Sequence, residues 1–197
     1  MATKIKPSDH ILWVDLEMTG LDADKDVILE VAAIATDWDF NEIASFETVI
    51  HQSDDILANM NPWCIAQHGS SGLTERSRQS KVSQKAAETK LVSFINKNFD
   101  KDQPVLLAGN SIHMDRRFIS AQWPRVEAKL HYRMLDVSAW KVVFEGKFKK
   151  KFAKPQDHRA LGDIRGSIME LQYYLSKLKS WPTKNYTTIY YHFPTAG

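Results

Sequence analysis

Asp15 and Glu17 stand two residues apart in "ILWVDLEM", residues 11–18, a run otherwise apolar enough to be buried. Side chains two apart on a strand leave it on the same face, so both carboxylates project together beside Ile11 and Trp13. A carboxylate in a low-dielectric interior costs several kcal/mol unless its charge is offset. Two of them side by side therefore share a proton, hold a cation between them, or sit at a wet strand end bonded to backbone amides. Residues 11–18 alone leave all three readings open.

Further acids favour the cation. Asp115 follows the short apolar run "PVLLAGN", residues 104–110, at the carboxyl end of a strand, where α/β sheets place ligands. Asp163 opens the last helix in "HRALGDIRGS". Taken singly, each also reads as a first-turn acid favoured by the helix dipole. Asp136 in "RMLDVS" is a rival fourth acid, or a local cap before Ser138. Acidic oxygens on separate elements suit magnesium or manganese better than zinc, because the chain has one cysteine and no closely spaced histidine pair. Two such ions about 4 Å apart stabilise both the attacking and the leaving oxygen of a phosphodiester displacement.

That reaction needs a base for the water, and His158 precedes Asp163 by five residues. On one continuous helix the two side chains would diverge by about 140°. His158 is therefore placed in the connector "KFAKPQDHRA", where Pro155 stops regular structure and a loop can carry the imidazole over the acids. A neutral imidazole accepts a proton from water near pH 7. In isolation it reads as a surface histidine beside Asp157 and Arg159.

The elements that must position these groups follow from periodicity. Residues 11–18, 27–36 and 42–51 read as strands joined by the short connectors "TGLDADKD" and "TDWDFNE", which predicts an antiparallel meander. Residues 53–103 are helical in pattern, with Ala87, Leu91, Phe94, Ile95 and Phe99 on one buried face. The strand at 104–110 ends at Gly109 and a helix-capping Asn110, and a helix is expected over 112–122. After "WP" at 123–124 come the strand "YRMLDV", a helix from Ser138, a lysine-rich connector and a last helix marked by Ile164, Ile168, Leu171, Leu175 and Leu178. Three antiparallel strands followed by alternating units give an α/β fold, a mixed sheet covered by helices.

Composition bounds the rest. At 197 residues, 43% apolar and 25% charged, the chain is expected to form a single domain. A net charge of +2 carries no overall preference for polyanions. The lone Cys64 excludes an internal disulfide and suits a reducing compartment. With no signal core and no apolar run near the ~18 residues of a membrane span, a cytoplasmic protein with no membrane partner is expected. Glu30 in "VILEVAAIA" reads as a hydrogen-bonded structural acid. "KFKKKFAK", residues 147–154, reads as a solvated basic face with two aromatic anchors or as an attractor of phosphate. The last stretch, residues 181–197, is aromatic and β-prone, and fits an added strand, an arm or a tail.

"WVDLEMTGLD", "GNSIHMDRRF", "HYRMLDVS" and "HRALGDIRGS", in this order and at these intervals, resemble the oligoribonucleases among the DEDDh 3′-to-5′ exonucleases, over about residues 10–178. The resemblance implies a ribonuclease-H-like fold and an exoribonuclease that hydrolyses very short RNA from its 3′ end to 5′-mononucleotides, using two divalent cations, Mg2+ or Mn2+. Asp15, Glu17, Asp115 and Asp163 match the family's metal-binding acids, and His158 its general base. Leu21 matches a wedge against the bases, Trp63 and His68 match contacts to the 3′ nucleotide, and Ser111, Arg133 and Ser138 match a cap on the 5′ phosphate. Tyr132 matches a tyrosine reaching the facing protomer of a homodimer. Residues 1–180 are then one exonuclease domain and 181–197 a tail without counterpart. The rival readings are a related exonuclease that proofreads DNA or trims structured RNA, and a nucleic-acid-binding protein without catalysis.

Overall fold

The computed structural model describes residues 9–153 and 160–179. Strand β1 (Ile11–Met18) pairs antiparallel with β2 (Ile28–Thr36), which pairs antiparallel with β3 (Glu42–Val49). Four helices follow: α1 (Asp54–Ala58), α2 (Pro62–Ser70), α3 (Leu73–Gln79) and α4 (Gln84–Asn98). Then come β4 (Val105–Gly109), α5 (His113–Gln122), the short α6 (Pro124–Glu127), β5 (Leu130–Asp136), α7 (Val137–Phe148) and α8 (Ala160–Lys179). The sheet order is β3-β2-β1-β4-β5, with β4 parallel to both β1 and β5. This is the mixed sheet that the hydrophobic pattern predicts.

The alternation of β1 divides the core into two layers. Leu12, Val14 and Leu16 face α4, α5 and α6 with Leu91, Ile95, Phe118 and Val126, whereas Ile11 and Trp13 face α7 and α8 with Phe144, Ile164, Ile168 and Tyr174. Asp15 and Glu17 continue the second face, so the strand's period of two delivers them beneath the first turn of α8.

Several boundaries differ from the periodic reading. The long helical region opens at Ser53 and is broken at Asn61 and Ser83; the three side chains accept from the N–H groups of Ile56, Cys64 and Ala86 and cap the helices that follow. Asn110 does not cap α5: the helix begins after Ile112, with no side-chain cap, because Ser111 takes a φ of 50° and turns the chain first. Helix α7 starts one residue before Ser138 because Asp136 caps it, accepting from Ser138 N–H at 2.9 Å. Phe148 and Phe152 of the lysine-rich run pack on the α7–α8 core, as anchors for a basic face. No helix among the described residues is long and apolar enough to cross a membrane.

Candidate active site

The acids converge at the carboxyl ends of β1 and β4. Asp15, Glu17 and Asp163 each offer a carboxylate oxygen, and these lie within 4.8 Å of one another. Asp163 reaches them because α8 lays Ile164 and Ile168 against Trp13 and Ala32, which sets its first turn over the end of β1. Asp115 arrives from the opposite layer on α5. It is buried, and its Oδ1 accepts from the Leu16 N–H at 2.9 Å, between the two β1 acids in the chain. Gly109 permits the close approach of β4, since a Cβ there would lie 2.9 Å from the Val14 carbonyl oxygen. The β1–β2 register shifts between Glu17 and Met18, a bulge of the kind common beside active sites.

The electrostatics follow from this crowding. Burial, then the charges of Glu30, Asp163 and Asp115, push the Glu17 carboxyl from 4.5 to about 7, with Arg76 pulling the other way. Burial likewise pushes Asp115 from 3.8 to about 7 against the hydrogen bond from Leu16. Glu30 lies opposite Glu17 in the ladder and is held by Arg76 at 2.7 Å, so the structural reading of that acid is the observed one. Converging carboxylate oxygens suit a divalent cation, and an all-carboxylate donor set suits magnesium or manganese. The residues present therefore fit such an ion, with Asp15, Glu17 and Asp163 as its holders and Asp115 beside them.

A pH dependence of stability follows. The folded state keeps protons on Glu17 and Asp115 that the unfolded chain has lost between the ordinary carboxylate range and pH 7. Their contribution is fully present below the unfolded values and is lost as pH rises through about 7. In chelator, the melting temperature is expected to fall between pH 5 and 8, and Glu17→Gln should flatten part of that fall. Parallel melting curves for wild type and variant across this range would contradict it.

The other candidates divide into exposed and buried side chains. Leu21 is 67% exposed and Trp63, in the first turn of α2, is 69% exposed, so both present apolar surface to solvent. The Leu21 turn is tied by Asp26, whose carboxylate accepts from the Thr19 hydroxyl and the Asp22 N–H, each at 2.9 Å. Gln122 adds a hydrogen bond of 2.7 Å to the Asp26 carbonyl. His68 is only 2% exposed. Its Nε2 donates to the Met18 carbonyl at 2.9 Å, and its Nδ1 lies 3.9 Å from Glu17, so it sits beneath Glu17 and away from the open surface. Ser111 and Ser138 meet, with their hydroxyl oxygens 3.1 Å apart. Asp136, the rival fourth acid, is used as a cap: its Oδ1 accepts from the N–H groups of both serines. Tyr132 and Arg133 are exposed on β5, with the guanidinium 5.2 Å from the Tyr132 ring centroid. His158 and residues 181–197 lie outside the described residues.

Residues 12–171 match the family model described as Exonuclease. The oligoribonuclease of Francisella tularensis subsp. tularensis is 48% identical over 179 residues, covering 89% of this chain and 99% of that one. The probable oligoribonuclease of Schizosaccharomyces pombe is 46% identical over 169 residues, covering 84% and 67%. Among solved structures, E. coli exonuclease I bound to single-stranded DNA superimposes with a TM-score of 0.66 at 17% identity, covering 88% of this chain. The match spans only 41% of exonuclease I, so the likeness is to one part of that protein. The nuclease domain of 3′hExo, a DEDDh family member bound to rAMP, matches with a TM-score of 0.59 at 12% identity, covering 86% of this chain and 93% of that domain.

Proposed function

This chain belongs to the exonuclease family, and from that premise we propose that it is an oligoribonuclease, a 3′-to-5′ exoribonuclease that degrades very short RNA to 5′-mononucleotides. The observation that carries the reading is the convergence of Asp15, Glu17 and Asp163, with Asp115 alongside, in a chain nearly half identical to proteins of that name. Two divalent cations, magnesium or manganese, would supply Lewis acidity and charge neutralisation at the scissile phosphodiester.

The chain's own residues do the remainder. His158 takes a proton from the attacking water on its neutral imidazole. Leu21 and Trp63 supply apolar surface on which any base stacks, which suits a substrate defined by length more than by sequence. Ser111, Ser138 and Arg133 form a cap on the 5′ phosphate, where the Arg133 guanidinium is a permanently charged forked donor. A site closed at that end accepts only a few nucleotides. His68 orders the 3′-nucleotide pocket from beneath, through Met18 and Glu17.

The proposal includes a homodimer, to which each protomer contributes Tyr132 at its partner's site. Supporting it, β5 is an edge strand that carries exposed Tyr132 and Met134, and α7, the helix that follows it in the chain, carries exposed Val142 and Val143. The reading also places the protein in the cytoplasm, as one catalytic domain over residues 1–180 with 181–197 appended.

Product chromatography of end-labelled RNAs of two, five and twenty residues tests the substrate class. Mononucleotides released fastest from the shortest chain are expected. Equal rates on all three would overturn the length claim, and preference for the frayed end of a DNA primer on its template would replace it with proofreading.

A further inference from the structure

Asn110 stands between the two halves of the site, and its amide is almost fully committed. Its Nδ2 donates to Ser167 Oγ at 2.8 Å and to Glu170 Oε2 at 3.1 Å, and its Oδ1 accepts from Ser138 Oγ at 3.2 Å. The orientation is fixed by its partners. Ser167 spends its own proton on the Asp163 carbonyl at 2.9 Å, so its Oγ can only accept from the amide. Glu170 is 3% exposed, and its other oxygen accepts from the Tyr174 hydroxyl at 2.7 Å. Asn110 thereby ties the turn after β4 to the same turns of α8 that carry Asp163.

The same bond decides the serine protons. Because Ser138 gives its proton to Asn110, its lone pairs are left to accept the Ser111 N–H at 2.9 Å and the Ser111 hydroxyl at 3.1 Å. Ser138 is then saturated, with one donor and two acceptor positions filled. Ser111, held at a φ of 50° by its N–H bonds to Asp136 and Ser138, keeps the one hydroxyl proton that can swing to a ligand without breaking the link to α8.

We infer that Asn110 is a positioning residue for substrate recognition: by claiming the Ser138 proton and gripping Glu170, it makes Ser111 the hydroxyl donor to the 5′ phosphate and Ser138 its anchor. The inference rests on the proposed 5′ cap and adds which hydroxyl acts, and why. It also explains a buried carboxylate, Glu170, that the hydrolytic chemistry does not use.

The test compares a dinucleotide carrying a 5′ phosphate with the same dinucleotide carrying a 5′ hydroxyl. One hydrogen bond to a charged group is worth ~1.5 kcal/mol or more, so Asn110→Ala should raise KM for the phosphorylated form about 10-fold more than KM for the hydroxyl form. Asn110→Asp sets two carboxylates against each other. Adding Glu170→Gln restores the contact with its direction reversed, so the double variant should regain most of the phosphate preference, and it decides the matter if Asn110→Ala does not fold. Equal KM changes on both substrates, or an exchange variant no better than Asn110→Asp alone, would overturn the inference. If the wild type itself does not prefer the 5′ phosphate, the cap falls and this inference with it. If Ser111→Ala loses that preference while Asn110→Ala keeps it, only the role of Asn110 falls.

Discussion

Asp15→Asn is expected to abolish hydrolysis while making the metal-free protein more resistant to heat. Asparagine keeps the shape of aspartate and one oxygen but loses the charge that a hard cation requires. A Lewis-acidic ion contributes several kcal/mol of charge stabilisation to phosphodiester displacement. Losing ~4 kcal/mol of it corresponds to about 10³-fold in kcat. Without the cation, the same charge is a liability, since three carboxylates bring oxygens within 4.8 Å of one another. Removing one relieves that repulsion, so the melting temperature in chelator should rise as activity disappears. Manganese, which should stabilise the wild type, should stabilise the variant far less. A variant that has simply unfolded would lose activity and stability together, so the opposite signs separate the two. Turnover at the wild-type rate, or a wild type indifferent to chelator, would remove the acids from the chemistry.

His158→Ala should slow hydrolysis by about 10²-fold or more, in the range of a lost general base, and leave manganese stabilisation intact. An imidazole accepts a proton only when neutral, so wild-type kcat should fall toward acid pH. That acid limb should be missing or displaced in the variant. Thermal shift with manganese and a pH–rate profile on one dinucleotide provide both readouts. An unchanged rate would remove His158 as base, and lost manganese stabilisation would make it part of the acidic centre.

The parts of the site that were legible in the sequence are those set by strand period and chain order. Asp15 and Glu17 share a face because their spacing matches the period of a strand, and Trp13 on that face meets α8 in the core. Asp163 lies among residues whose helical repeat, Ile164, Ile168 and Leu171, is buried as the periodicity predicts. Other features depend on contacts that no local pattern encodes. His68 is one helical residue among several polar ones until the bulge at Met18 turns a carbonyl toward it. Asn110 reads as a cap because asparagine before an amphipathic run commonly is one. The left-handed turn at Ser111 delays the helix, and the amide finds partners at Ser167 and Glu170, some sixty residues later in the chain. Asp26 belongs to the same class: its grip on the Leu21 turn joins residues a few positions apart, yet nothing in their types distinguishes it from an ordinary loop acid. The breaks at Asn61 and Ser83 carry capping residue types, but the apolar spacing runs on through them.

The residues proposed to face substrate divide in the same way. Leu21 and Trp63 are apolar side chains left in solvent, and their exposure is not predictable from type. The two phenylalanines in the lysine run are the reverse case. Phe148 and Phe152 are half-buried against the α7–α8 core, Phe152 with its ring 5.5 Å from Tyr173, so the aromatic content of that segment is spent on the core and its charges on solvent.

If these acids hold divalent metal, anomalous diffraction from crystals of the wild-type protein soaked in manganese should show two manganese peaks about 4 Å apart at the carboxyl end of β1, in contact with Asp15 and surrounded by Glu17, Asp115 and Asp163. Crystals showing no manganese there at a concentration that supports hydrolysis, or manganese only on another face, would contradict it.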